Sequence, residues 1–280
     1  MSHTLAVITV IYKNYTILTD YFASFDRQTD SGFRIFVADL SDNKQHYDYP
    51  NYVTYIPGKN KGYAHGVNIA IDQAAHEGYR MFAVMNSDVV VSKNFVEKVK
   101  YSLLHHPSSL IGGKIFYEAG YEYHKARYRK EDLGKVFWYA GGINDWKNCT
   151  TTHRGVDEID ERQYNSFGKT DFITGCLMCY NKEVEEKMGK WDEGYFLYYE
   201  DADYCERAKK AGFPLYYNPE IVIWHKNAAS TGGSGSIIHQ QYQRQNQLRF
   251  GLMYAPLKTR FHLLKNYLSD FLNSICKCNE

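Results

Sequence analysis

The chain has 280 residues, of which 44% are hydrophobic and 23% charged, a balance that excludes disordered, collagen-like and fibrous classes. Its 33 basic and 32 acidic side chains leave a net charge of +1, which gives no bulk electrostatic case for binding nucleic acid. Aromatic residues reach 16%, and the 26 tyrosines among them suit the binding of polar rings as well as core packing. We therefore expect one large domain, or one domain with an appendage.

Strand patterns alternate with helical patterns through the first part of the chain. The predicted strands are 5–12, 33–38, 52–56 and 81–85, and the predicted helices are 15–25, 67–75 and 95–104. This alternation predicts a parallel sheet covered by helices on both faces, with ligands bound at the carboxyl ends of the strands. Those ends carry Tyr12, Asp39 and the Asn86-Ser87-Asp88 turn.

Residues 117–170 interrupt this alternation, because they are polar and contain only one strand pattern, at 136–140. We interpret them as an insertion that shapes a binding site. Beyond the insertion, strand patterns at 172–180 and 221–224 flank an acidic helix start at 200–203. The Gly/Ser-rich residues 230–236 predict a flexible loop and a candidate lid.

The tail, 256–279, has apolar side chains at helical spacing with basic ones among them, and so predicts an amphipathic helix. Docking on the protein's own core or on a dimer partner is the preferred interpretation, and an anionic membrane surface is the other. No apolar run approaches the roughly 18 residues of a membrane-spanning helix, and the N-terminus lacks a signal-peptide pattern, so we expect a cytoplasmic protein. Cys176 and Cys179, on opposite faces of a predicted strand, favour buried thiols over a zinc or redox pair.

Two segments could hold a phosphate-bearing ligand. Asp88, directly after a strand, could bind a divalent cation that takes substrate phosphates as further ligands, although Asn-Ser-Asp is also an ordinary turn. Residues 60–68 open a helix with glycines and free N–H groups that suit a diphosphate, and a plain helix start explains them nearly as well. His225, at a strand end in the same sheet, either completes the metal site or is an ordinary hydrogen-bonded histidine.

The carboxylates Glu200 and Asp201 follow an aromatic stretch at 191–199. Acidic residues at a helix start interact favourably with the helix dipole, and Asp203 can pair with Arg207, so these carboxylates could simply stabilise the helix. The aromatic neighbours favour a site instead, because sugar rings stack on aromatic side chains while a carboxylate acts as acid or base on a hydroxyl.

In chain order these elements resemble the inverting family 2 glycosyltransferases of the GT-A fold, most closely their rhamnosyltransferase-like branch. The match spans about residues 5 to 250, and although each element is weak alone, their order and spacing are specific. The matching elements are Thr9-Val10-Ile11-Tyr12, Val37-Ala38-Asp39, Asn60-x-Gly62-Tyr63-Ala64-x-Gly66-x-Asn68, Asn86-x-Asp88, Thr174-Gly175-Cys176, the segment 191–207, and His225.

The resemblance implies an α/β fold of GT-A type, with a Rossmann-like, mostly parallel central sheet flanked by helices, a variable insertion and a C-terminal amphipathic helix. Residues 1–250 would form the glycosyltransferase domain, divided into a nucleotide-sugar-binding half, 1–116, and an acceptor and catalytic half, 117–250, with 251–280 as a helical tail. The implied reaction moves a sugar from a nucleoside diphosphate-sugar to a hydroxyl during surface polysaccharide synthesis, and rhamnose is one candidate for that sugar.

The resemblance also assigns roles to residues. Asp201 would be the general base, and Asp88 with His225 would hold Mg²⁺ or Mn²⁺. The nucleotide-sugar, a dTDP- or UDP-sugar, would be bound by Val10, Tyr12, Asp39, Asn60, Gly62, Tyr63, Asn68, Asn86, Ser87 and Asp88. The acceptor, a saccharide or a lipid-linked saccharide, would be bound by Trp191, Asp192, Tyr198 and Glu200. No nucleic-acid partner is implied; a homodimer and a peripheral contact with the inner face of the plasma membrane stay open.

Three departures from the family pattern bear on these roles. Asn86 stands where the family has an aspartate, and Leu40 follows Asp39 where an asparagine is usual. The adjacent Arg-Asn pair of the family is replaced by Arg244-Gln245-Asn246, in which a glutamine separates the two residues. The first two support the alternative of a non-catalytic relative that binds nucleotide-sugars or carbohydrates. In either case we expect part of the tyrosine excess to line a sugar-binding cleft; the candidates are Tyr12, Tyr63, Tyr117, Tyr121, Tyr123, Tyr128, Tyr139, Tyr195, Tyr198 and Tyr199.

Overall fold

A computed structural model describes residues 4–227 and 237–277 of the chain as strands packed between helices. The strands are β1 Leu5–Ile11, β2 Phe33–Asp39, β3 Val53–Pro57, β4 Met81–Asn86, β5 Val89–Val91, β6 Leu110–Tyr117, β7 Phe137–Tyr139, β8 Gly142–Asp145, β9 Thr150–His153, β10 Gly168–Lys169, β11 Leu177–Asn181 and β12 Leu215–His225. The α-helices are α1 Leu18–Phe25, α2 Tyr63–His76, α3 Phe95–His105, α4 Lys182–Met188, α5 Glu200–Lys210, α6 Ile237–Tyr254 and α7 Leu257–Lys277. The predicted lid, 230–236, lies outside the described residues.

The central sheet has the order β10-β12-β6-β11-β4-β1-β2-β3, with β5 and β7 joined at its side. β1 pairs in parallel with both β2 and β4, and β12 pairs in parallel with β6. β11 runs antiparallel between β4 and β6, and so joins the two parallel groups. The predicted mostly parallel α/β sheet is confirmed, with an antiparallel strand at its centre that the alternation of patterns did not predict.

Hydrophobic side chains cover both faces of this sheet. Alternate residues of β1 point to opposite sides, so that Leu5 and Val7 pack with α1 and α3 while Ala6 and Ile8 pack with α2 and α5. Burial on both faces explains why the central strands read as continuous apolar runs. The register places Ile11 beside Asp39, and Val10 beside Asn86. The carboxyl ends of β1, β2 and β4 therefore meet at one edge, as predicted.

Several element boundaries differ from the predictions for local reasons. α1 begins at Leu18 and not at Tyr15, because residues 15–18 form a turn closed by a hydrogen bond from Leu18 N to Tyr15 O. The strand predicted at 172–180 begins at Leu177, because a turn precedes it in which Leu177 N donates to Thr174 O. Cys176 lies in that turn and packs in the same cluster as Cys179, so the predicted opposite faces are wrong; both thiols are free and buried.

Several elements had no recognisable sequence signal, among them β6, α4, α6 and the short insertion strands β8, β9 and β10. β6 was missed because Gly112, Gly113 and Lys114 interrupt its apolar run, yet Lys114 is buried and paired with Asp160 and Asn165. α4 is short, and α6 lacks a distinct apolar face in its sequence. The predicted strand at 136–140 is present as β7, which pairs with β6. Among the described helices, none has both the length and the apolar content needed to cross a membrane.

Candidate active site

A cleft of about 980 Å³ opens at the edge where the parallel strands end. Its walls come from the end of β1, the start of α2, the β4–β5 turn, the head of α5, the end of β12 and the first turns of α6. The predicted site residues that line it are Val10, Tyr12, Asn60, Gly62, Tyr63, Asn86, Ser87, Asp88, Tyr198, Glu200, Asp201 and His225. The fold thus brings residues from both halves of the chain into one cavity.

Asp88 and His225 meet inside the cleft because of strand pairing. β5 follows Asp88 directly and pairs antiparallel with β12, which sets Val89 opposite His225. His225 Nε2 lies 3.2 Å from Asp88 Oδ1, and both residues are at least nine-tenths buried. The edge of the Trp138 ring packs against the His225 ring, with centroids 4.5 Å apart.

This pair fits the predicted divalent-cation site as a partial ligand set. A carboxylate and an imidazole are both suitable donors for Mn²⁺, and the His225 Nδ1 atom has no hydrogen-bond partner among the described residues. Within residues 4–227 and 237–277, no group of three or more His, Cys, Asp and Glu side chains gathers to hold an ion. A cation bound here would therefore take its remaining ligands from water or from substrate phosphates.

The acid pair, Glu200 and Asp201, lies at the head of α5 after an unusual backbone turn. Tyr198 and Tyr199 have φ angles of 69° and 71°, a left-handed conformation that costs energy for a bulky residue. This turn directs the first residues of α5 into the cleft. Such strain is typical of sites where a side chain must be aimed at a ligand.

Asp201 is held by backbone N–H groups. Its Oδ2 accepts a hydrogen bond of 2.8 Å from Gly175 N, and its Oδ1 accepts one of 2.8 Å from Ala202 N. Tyr63 Oη donates to Gly175 O, which fixes the turn that supplies the first of these donors. Burial raises the pKa of the Asp201 carboxyl above its ordinary value. An oriented carboxylate with a raised pKa has the properties of a general base.

Glu200, next to Asp201, is buried under less favourable conditions. Its Oε2 has no hydrogen-bond partner among the described residues. Burial, and secondarily the charge of Asp201, raise the pKa of Glu200 well above its ordinary value. Two neighbouring carboxyls in a low-dielectric cleft resist being ionised together, so Glu200 favours the protonated form while Asp201 carries the charge.

Four predicted site residues lie outside the lining of the cleft. Asp39 is fully buried, and its carboxylate accepts hydrogen bonds from the hydroxyls of Tyr15 and Tyr55 and from Ser41 N. Asn68 is buried and ties α2 to the backbone of Trp191 through two hydrogen bonds.

Trp191 and Asp192, which were predicted to contact the acceptor, also lie outside the lining of the cleft. The Trp191 ring stacks on Tyr204 at 4.8 Å and donates to Tyr180 Oη, so it belongs to the core. Asp192 forms an ion pair of 2.8 Å with Arg249 on α6. Each of these side chains packs or pairs with other elements, which the sequence pattern alone did not indicate.

The tyrosine prediction holds for part of its members. The rings that line the cleft are Tyr12, Tyr63, Tyr117, Tyr123, Tyr198 and Tyr199. Tyr139 and Tyr195 are fully buried in the core, while Tyr121 and Tyr128 do not line the cleft.

Sequence reasoning also missed residues that do line the cleft. The insertion contributes Trp138, Thr150 and His153, and α6 contributes Gln241 and Tyr242. Burial lowers the pKa of His153 to about 4, so this histidine is neutral near pH 7. These positions lie in segments without clear periodicity, and only the tertiary fold brings them to the site.

Comparison with known proteins agrees with this geometry. The model of a family described as "Glycosyltransferase like family 2" matches residues 38–246. The chain is 26% identical over 247 residues to the N-acetylglucosaminyl-diphospho-decaprenol L-rhamnosyltransferase of Mycobacterium tuberculosis, covering 83% of this chain and 79% of the relative. It is 26% identical over 214 residues to the rhamnosyltransferase WbbL of Escherichia coli, covering 70% and 74% of the two chains.

A solved structure supports the fold. The crystal structure of GalNAc-T7 with UDP, GalNAc and Mn²⁺ superposes with a TM-score of 0.63 at 14% identity, covering 88% of this chain and 48% of that one. This chain therefore spans about half the length of that protein, and the likeness concerns the fold alone. The predicted GT-A fold is confirmed.

Proposed function

The chain belongs to glycosyltransferase-like family 2, and from this premise we propose that it is a metal-dependent inverting transferase whose general base is Asp201. The substrate would be a nucleoside diphosphate-sugar, and the acceptor a hydroxyl of a saccharide or of a lipid-linked saccharide. The observation that carries the proposal is the oriented, buried carboxylate of Asp201 in the same cleft as the Asp88–His225 pair.

The two ends of the proposed reaction lie close together. Gly175 N donates to Asp201 Oδ2, and the carbonyl oxygen of the next residue, Cys176, accepts from Asn86 N, so the turn before β11 connects the head of α5 to the turn that carries Asp88. A donor with its diphosphate beside Asp88 would then bring its anomeric carbon towards Asp201. Such a placement would suit a direct displacement, in which nucleophile and leaving group stand on opposite sides of the reacting carbon.

The chemistry follows from these positions. Asp201 accepts the proton of the acceptor hydroxyl as its oxygen attacks the anomeric carbon from the face opposite the diphosphate. A new carbon–oxygen bond forms, the bond from that carbon to the diphosphate oxygen breaks, and the configuration inverts. A divalent cation held by Asp88 and His225, Mg²⁺ or Mn²⁺ in this proposal, would supply positive charge to the departing diphosphate.

The binding of the donor and acceptor can be proposed in outline. Tyr12, Asn60 and Gly62 line the side formed by β1 and α2, which suits the nucleotide, and Tyr198 and Glu200 line the side of the acid pair. The names of these relatives favour rhamnose as the transferred sugar and, for the Mycobacterium tuberculosis enzyme, a lipid-linked diphosphate saccharide as the acceptor. We take dTDP-rhamnose as the proposed donor. Surface polysaccharide synthesis is the process that would use such a product.

The alternative is a relative that binds nucleotide-sugars or carbohydrates without turnover, which Asn86 and Leu40 favour. The Asp39 carboxylate adds support, because it already accepts three hydrogen bonds from within the protein. A screen of dTDP-, UDP- and GDP-sugars by thermal shift identifies the donor, because a ligand of the folded state raises Tm. The chosen donor is then incubated with Mn²⁺ and candidate saccharide acceptors. Acceptor-dependent release of nucleoside diphosphate is expected, and donor binding without any release would leave the binding module as the function.

A further inference from the structure

The C-terminal helix α7 carries an apolar face that points away from the protein. Leu257, Phe261 and Leu264 follow one another at spacings of four and three residues and therefore share one side of the helix. They are 71%, 72% and 41% exposed, far more than core residues of these types. In the sequence, the same spacing continues at Leu268, Phe271 and Ile275.

The opposite side of α7 makes the contacts with the rest of the molecule. Leu263 packs on Gly251 of α6. Thr259, His262 and Asn266 face a cavity of about 290 Å³ whose other wall is formed by α6 and residues 147–148. Within residues 257–267, α7 therefore contacts the rest of the molecule through the side that carries Leu263, and docking of the apolar stripe on the protein's own core is wrong there. Docking on a dimer partner, the other half of the preferred interpretation, stays a prediction.

Charge decides between a second copy of the chain and a membrane as the occupant of this face. Arg260 lies beside the apolar stripe but donates to the carbonyl oxygens of Ala255 and Met253. Lys258 and Lys265 lie directly beside the stripe with exposed side chains, and residues 257–267, the part of α7 whose side chains the structure describes, contain no acidic residue. If two copies packed along their stripes, these side chains would stand opposite one another with no carboxylate between them, which is destabilising at flanking coiled-coil positions. An anionic lipid surface provides the complementary charge.

We propose that α7 docks the enzyme on an anionic lipid bilayer, with Leu257, Phe261 and Leu264 inserted at the boundary of headgroups and acyl chains and the flanking cations on the lipid phosphates. α7 packs on α6, and α6 supplies Gln241 and Tyr242 to the cleft. Docking through α7 therefore keeps the cleft close to the lipid surface. The inference concerns a surface outside the cleft and does not depend on the chemistry proposed for Asp201.

The test is co-sedimentation of the full chain with vesicles of phosphatidylcholine alone or of equal parts phosphatidylcholine and phosphatidylglycerol. Burial of a side chain of this size is worth about a tenfold change in partition, so Phe261→Gln should weaken binding to the anionic vesicles about tenfold. Lys258→Glu with Lys265→Glu should abolish the preference for anionic vesicles. Leu104→Gln is the matched control, because Leu104 is a 48% exposed leucine on α3, and it should bind like the unmodified chain.

Circular dichroism and Tm of each variant establish that it is folded, and exposure of the substituted residues predicts no change in either. Release of nucleoside diphosphate with a water-soluble acceptor should also be unchanged. Failure of the unmodified chain to bind anionic vesicles, or full binding by Phe261→Gln, would overturn the proposal. A dimer in sedimentation equilibrium that Phe261→Gln dissociates would overturn it in favour of a second copy.

Discussion

Gly62 stands at a contact between the start of α2 and the segment leading into α5. Its φ angle is 101°, a conformation that side chains with a Cβ rarely adopt. A Cβ built on it would lie 2.8 Å from Phe196 Cα and 2.9 Å from Phe196 C, and closer still to the Phe196 carbonyl oxygen. These are backbone atoms, so no rotamer change can relieve the clash.

Gly62→Ala is therefore expected to displace the turn that orients Asp201. Gly62 has a ψ angle of 169°, and this combination of positive φ with extended ψ costs about 1–3 kcal/mol in an alanine. Overpacking adds about 1–3 kcal/mol. Gly78→Ala is a matched control, because Gly78 has a φ of 90° but open space where its Cβ would lie. The control variant should lose only the backbone cost and keep its activity.

Urea unfolding measures the free energy of unfolding of both variants, and donor-dependent turnover measures their activity. We expect Gly62→Ala to lose about 2–6 kcal/mol of unfolding free energy and most of its turnover. Equal stability losses in the two variants, or wild-type turnover in Gly62→Ala, would refute the argument that this close contact holds the head of α5 in place.

Three further predictions concern the charged residues of the cleft. Burial raises the folded-state pKa of Glu200, so the stability that its protonated form contributes is lost as pH rises from the ordinary carboxyl range through the raised pKa. Glu200→Gln should remove this pH dependence and raise Tm at neutral pH. Thermal unfolding across pH measures both effects. The acid limb of the rate profile should lie above the usual range of an aspartate, since Asp201 must lose its proton to act and burial raises its pKa; a limb in the ordinary range would contradict this. Chelation should abolish transfer and Mn²⁺ restore it. Asp88→Asn and His225→Gln should each weaken Mn²⁺ binding by about 10-fold or more in calorimetry, since even the outer-shell partners of a metal site are worth about that much. Unaltered binding in both variants would exclude this pair as ligands.

The strands that build the site were predictable because their burial on both faces leaves a direct mark on the sequence. β1 and β4 are nearly continuous apolar runs, β2 is apolar apart from Arg34 until it ends at Asp39, and the polar residues at or after the strand ends, such as Asp88, are aligned by strand register. The sequence could predict only that His225 and Asp88 belong to the same sheet. Their contact depends on the pairing of β5 with β12, which no local pattern encodes.

The side chains beside the acid pair were harder to predict. Trp191 and Tyr198 belong to the same aromatic stretch, yet one stacks in the core and the other lines the cleft. The difference arises from the left-handed turn at Tyr198 and Tyr199, a conformation that no sequence signal for bulky residues announces. His153 and Trp138 reach the cleft through long-range packing of the insertion, so a single sequence leaves them unassigned.

The most direct test of the account is the turnover of Asp201→Asn at saturating donor. Asparagine removes the proton acceptor and keeps one oxygen, which can accept from only one of the N–H groups of Gly175 and Ala202. The loss of one hydrogen bond costs about 1 kcal/mol, so the fold and donor binding should persist. General-base catalysis is worth about 10²–10⁴-fold, and kcat should fall by that factor while the thermal shift produced by the donor stays the same. A folded Asp201→Asn enzyme that turns over near the wild-type rate would contradict the assignment of Asp201 as the base.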